Sequence, residues 1–135
     1  MTALARALLL LWPRLLAPSP AALAAVEHAA SQHAVPVEVL AAVCWQESRL
    51  GTAPRYASLC GVRLRHAYVR DDVRSADIAA RSLAGYHARC RSWTQAVAAY
   101  RVDGRCGAPA GLRYARGVVG LAGRLRRALD APPRR

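Results

Sequence analysis

The placement of four cysteines, Cys44, Cys60, Cys90 and Cys106, decides more about how this chain of 135 residues can fold than any other feature. A chain of this length holds one small domain, and small domains in oxidising compartments gain much of their stability from bridges. No Cys-x-x-Cys pair is present and no cysteine lies at finger-like spacing from a histidine, so the cysteines do not form a structural zinc site. Three pairings remain. The preferred one, Cys44–Cys60 with Cys90–Cys106, closes two sequential loops of similar length. In a chain-entropy model each bridge is worth about 3 kcal/mol. The alternative leaves Cys44, on an apolar helix face, as a free thiol in the core.

Disulfides require export, and the N-terminus reads as an export signal. Met1 to Arg6 carries one positive charge, Ala7 to Trp12 is an apolar run, and Ala22-Leu23-Ala24 has the small-x-small pattern that signal peptidase recognises. Residues 1–24 are therefore expected to be a signal peptide that takes no part in the fold; an uncleaved amphipathic anchor is the alternative. Pro13 and Arg14 cut the apolar run well short of the ~20 residues a membrane-crossing helix needs. The expectation is a periplasmic or secreted monomer without stable membrane insertion.

Composition narrows the class. Twenty arginines face eight acids for a net charge of +12, with no lysine and no phenylalanine, and 54% of residues are apolar. The exclusive use of arginine and the abundance of alanine resemble a GC-rich coding bias and say little about partners. The apolar fraction excludes a disordered tail and a collagen-like chain. Nucleic acid is not an expected partner, because the arginines are scattered along the chain rather than gathered on one recognition element, and an exported chain does not meet it. His28, His33, His66 and His87 form no i, i+4 pair on one helix, so neither metal nor cofactor is assigned.

Periodicity predicts an all-α domain of about five helices over residues 25–130, followed by a disordered basic tail at 131–135. The first helix covers Val26 to His33 and stops before Val35-Pro36, since a residue preceding proline avoids helical angles. In Val37 to Leu50, Leu40, Val43, Cys44, Glu47 and Leu50 fall on a single face, and Gly51 ends the helix. A third helix spans Ser75 to Cys90. Ser92-Trp93-Thr94-Gln95 is a capping box that opens a fourth helix through Tyr100. The fifth carries Tyr114, Val118, Leu121, Leu125 and Leu129 as an apolar stripe. Thr52 to Arg74 is left as a long loop with a short extended piece at Leu59 to Leu64, and long loops in small domains are often functional.

One carboxylate stands out. Glu47 shares its stripe with apolar residues on the last turn of a helix, where the carbonyl ends oppose negative charge. Burial and the dipole both favour the protonated acid, the form that delivers a proton to a glycosidic oxygen. An ion pair with Arg49 or Arg63 is the competing expectation.

The stretch from His33-Ala34-Val35-Pro36-Val37 to Val43-Cys44-Trp45-Gln46-Glu47-Ser48 resembles the start of a soluble lytic transglycosylase domain, a lysozyme-like fold of the goose-type class in which an alanine-rich helix ends in Glu-Ser. Ser58-Leu59-Cys60-Gly61-Val62 resembles that family's serine-and-glycine loop, and Ala98-Ala99-Tyr100 its Ala-Tyr-Asn motif. The resemblance runs from about Val26 to Leu129. It implies cleavage of peptidoglycan between N-acetylmuramic acid and N-acetylglucosamine, with Glu47 as the single catalytic residue. Ser48, Ser58, Gly61, Val62, Tyr100 and Arg101 are the substrate-binding candidates that it brings. No second acid is needed: Asp71 and Asp72 are placed in a loop, and Asp77 in the first turn of a helix.

Three positions depart from the family pattern. Arg63 and Leu64 follow Gly61-Val62 where methionine and glutamine are usual, and Arg101 stands where asparagine is expected. A guanidinium there suits a carboxylate, and muramic acid presents one on its lactyl group when its peptide stem is absent. The alternatives are a hydrolytic lysozyme and a non-catalytic cationic wall-binding protein on a degenerate fold of the same type.

Overall fold

Short polar side chains set where most of the helices begin. In the computed structural model, which describes residues 1–13 and 17–132, the Thr2 hydroxyl accepts the Ala5 N–H at 3.1 Å and opens α1 (Ala3–Leu11). Ser19 caps α2 (Pro20–Gln32) in the same way through the Ala22 N–H. α3 (Val37–Ser48) starts behind Pro36. The Asp71 carboxylate accepts the Arg74 N–H at 2.8 Å ahead of α4 (Asp72–Cys90), and Ser92 accepts the Gln95 N–H ahead of α5 (Trp93–Arg101). α6 (Pro109–Asp130) opens with a proline, whose missing N–H has no helical partner to lose in the first turn. Between α3 and α4 lies a two-stranded antiparallel ribbon, β1 (Arg63–Leu64) and β2 (Ala67–Tyr68), with Arg63 opposite Tyr68 and Leu64 opposite Ala67.

The domain is mostly helical and carries the two expected bridges, Cys44–Cys60 and Cys90–Cys106. The described residues form six helices rather than five. The additional one, α1, lies in the segment expected to stand outside the fold; it buries Leu4, Ala7 and Leu8 against the domain, and Trp12 stacks on Trp45 with ring centroids 4.2 Å apart. Helix α2 begins at Pro20, earlier than the expected Val26, and runs through Ala24. A cut after Ala24 therefore removes the Ser19 cap and the buried Ala22 and Leu23. Of the expected basic tail, residues 133–135 lie outside the described residues, as do residues 14–16 of the leader.

Helix α3 is the centre of the molecule. The single-face expectation understates it, because Val39 to Trp45 are all buried, with α2, α4 and α6 packed around them. Small Ala41 and Ala42 let these helices approach from sides that the stripe assigned to solvent. The helix ends sharply: Arg49, Leu50 and Gly51 take positive φ in succession, at 55°, 54° and 80°, which turns the chain back under α3. Three aspartates are placed differently from the expectation. Asp71 and Asp72 begin α4 instead of lying in a loop, and Asp77 sits beyond the first turn, where it bonds His33 Nε2 at 2.7 Å and Arg81 at 3.0 Å.

Candidate active site

Four segments meet around Glu47: the last turn of α3, the loop at Cys60 to Val62, the end of α5 and the start of α6. The half-buried Glu47 carboxylate accepts the Tyr114 hydroxyl at 2.8 Å. On its other side it lies against Gly61, where a Cβ would fall 2.5 Å from Oε2 and 2.7 Å from Cγ. Gly61 also has φ of +70°, a conformation that side chains disfavour. The loop and the acid thus touch only because position 61 has no side chain.

Neither competing ion pair forms. The Arg49 guanidinium sits 5.4 Å from the Trp45 ring centroid and that of Arg63 lies 5.1 Å from Tyr68, while the ion pairs among the described residues involve other acids. The acid's partner is instead a neutral phenol. Burial first, and the Glu47 carboxylate second, push the Tyr114 hydroxyl far above its ordinary value. Tyr114 consequently remains a donor at any working pH. Tyr100 is pushed up by the same two causes in the same order, and its hydroxyl donates to the Cys60 carbonyl, so it ties α5 to the loop.

The serines act behind the site. Ser48 is buried, donates to Leu59 O at 2.6 Å and accepts the Gly51 N–H at 2.9 Å. Ser58 is also buried; it accepts the Val62 N–H at 3.0 Å and pairs with Ser75 at 2.8 Å, and Ser75 accepts the Cys60 N–H. The resemblance offers Ser48 and Ser58 as groups that orient the site, with bracing of backbone donors as the alternative role for each. In the fold they satisfy the backbone of the 58–62 loop, and Val62, also buried, serves as a wall. The Cys44–Cys60 bridge pins the same loop to α3, one turn before the acid.

Arg101, exposed at the end of α5, holds its guanidinium 5.3 Å from the Tyr114 ring centroid. A cation thus stands over the ring whose hydroxyl touches Glu47. Periodicity alone places Tyr114 in the apolar stripe of the last helix. The available signal was its hydroxyl, the one polar tip on a stripe otherwise made of Val118, Leu121, Leu125 and Leu129. Asp71, Asp72 and Asp77 are occupied elsewhere, in the α4 cap, with the Tyr56 hydroxyl and with His33. Among the described residues no group of acids, histidines and cysteines could hold a metal ion.

The chain matches no family model, no curated protein and no solved structure.

Proposed function

We propose that this protein is a lytic transglycosylase that cleaves peptidoglycan between N-acetylmuramic acid and N-acetylglucosamine, acting in the periplasm or outside the cell after removal of residues 1–24. The observation that carries this reading is a lone half-buried carboxylate, Glu47, bonded by a neutral phenol and walled by Gly61. Glu47 gives its proton to the glycosidic oxygen as the C1–O bond breaks. The substrate's 2-acetamido carbonyl stabilises the positive charge that develops at C1. The muramoyl 6-hydroxyl then attacks C1, and its proton returns to Glu47, so a 1,6-anhydro ring closes and the acid is regenerated. One carboxylate serves both proton transfers, in keeping with the other engagements of Asp71, Asp72 and Asp77. Tyr114 orients the acid, and Arg101 favours strands whose muramic acid exposes its lactyl carboxylate. Two bridges suit an oxidising compartment, and no described helix is long and apolar enough to cross a membrane.

Product analysis tests the reading. Digestion of purified peptidoglycan followed by mass spectrometry is expected to give anhydro-muropeptides. Products with reducing ends would make the protein a hydrolytic lysozyme, and an undigested sacculus that binds the protein would make it a non-catalytic wall-binding protein.

A further inference from the structure

Among the described residues beyond the first 24, the large apolar side chains left exposed are Leu64, Tyr68 and Val73, 41%, 46% and 61% accessible. All three fall between the ribbon and the first turn of α4. Arg63, Arg65, His66, Arg70 and Arg74 are interleaved with them and equally exposed. None of the four guanidiniums forms an ion pair among the described residues. The two acids nearby are engaged, Asp71 in capping α4 and Asp72 with the Tyr56 hydroxyl 3.1 Å away. Leu64, Arg65, Tyr68, Arg70 and Arg74 line one open concavity of about 470 Å³.

Leaving leucine, tyrosine and valine in water forgoes about 25 cal/mol for each Å² that a partner would cover. Concentrating these side chains among unpaired arginines fits a surface that is anionic outside and apolar just beneath. We infer that the ribbon and the start of α4 form a peripheral docking surface for an anionic lipid bilayer. Guanidiniums bind lipid phosphates in bidentate fashion, a tyrosine settles at the level of the headgroups, and short apolar side chains enter the acyl boundary. An anionic glycan would use the arginines and the Tyr68 ring but leave Leu64 and Val73 in water. The register makes the contact shallow, since Tyr68 shares one face of the ribbon with Arg63 while Leu64 shares the other with Ala67. The ribbon end therefore meets the surface, and nothing spans it.

Docking would also orient the candidate site. The ribbon continues directly from Gly61 and Val62, and the Val69 N–H donates to the Val62 carbonyl at 2.9 Å, so the loop against Glu47 and the docking surface form one piece. The inference stands independently of the reaction assigned to Glu47.

Vesicle co-sedimentation of the full chain tests it. Vesicles of phosphatidylcholine alone are compared with vesicles containing 30% phosphatidylglycerol at moderate salt. The protein is expected to bind only the anionic vesicles. Arg70→Glu with Arg74→Glu should weaken binding at least tenfold, and Leu64→Ser with Val73→Ser at least fivefold. Arg113→Glu with Arg116→Glu, an equal charge change on an exposed part of α6, should stay within threefold of the parent. All three pairs replace exposed side chains, and circular dichroism melts check that each variant folds.

Failure to bind anionic vesicles overturns the inference. So does an equal loss in the α6 variant, which reports net charge only. Binding that ignores Leu64 and Val73 would identify a phosphate-binding site without membrane contact. Binding that survives every substitution runs through the exposed Leu9 and Leu10 of α1 instead.

Discussion

Tyr114 bonds Glu47, and Arg101 lies over the Tyr114 ring. Because the Tyr114 and Tyr100 phenols are held neutral in the fold, whereas the unfolded chain ionises them near pH 10, their contribution to stability is complete below pH 10 and lost as pH rises above it. The melting temperature is accordingly expected to fall above pH 10, and Tyr114→Phe should flatten that fall. The same substitution removes the hydroxyl from Glu47. It should lower kcat about tenfold with little change in KM, for a loss of roughly 1–2 kcal/mol at neutral pH. An unchanged kcat would leave Tyr114 as packing alone. Arg101 calls for a different measurement, the ratio of rates on glycan strands with stripped and intact peptide stems. Arg101→Asn is expected to shift that ratio towards intact strands, and an unchanged ratio would make the guanidinium a solvated charge resting on a ring.

At the scale of elements, the site depends on how closely α5 and α6 approach. A Cβ on Gly111 would come within 2.7 Å of the Ala98 carbonyl. Gly111→Ala should therefore push α6 off α5, cost about 1–3 kcal/mol in denaturant titrations and lower activity by displacing Tyr114. A variant of parental stability would show that the pair has room to spare. Helix ends were legible because their causes are local: Pro36 before α3, the Ser92 box before α5, and Gly51 after α3. The bridges were legible from loop lengths. The all-round burial of α3 was not, since alanine reads as neutral and only its neighbours decide whether it is covered. For Ser48 and Ser58 the sequence left two roles open, because a serine that braces a loop from behind and one that meets a ligand from the front look alike in sequence. Strand β1 falls within the extended piece expected at Leu59 to Leu64, but its pairing with β2 lacked a signal: the turn is built on Arg65 at φ 59° rather than on glycine or asparagine.

Across the whole molecule, Met1 to Ala24 is proposed as a leader although α1 and the start of α2 pack on the domain. Signal peptidase acts during export on an extended chain, so helix formation around Ala24 in the folded state does not protect the bond. N-terminal sequencing of the exported protein is expected to begin at Ala25, and recovery of Met1 would make α1 a resident helix. The central claim is narrower: one carboxylate, Glu47, carries both proton transfers. Its most direct test is Glu47→Gln assayed on purified peptidoglycan beside a thermal melt, because glutamine keeps the size and the Tyr114 contact but has no proton to give. The account predicts at least a ~100-fold loss of anhydro-muropeptide release at an unchanged melting temperature, with Asp71→Asn and Asp72→Asn nearly silent. Activity retained in the Glu47 variant would contradict it.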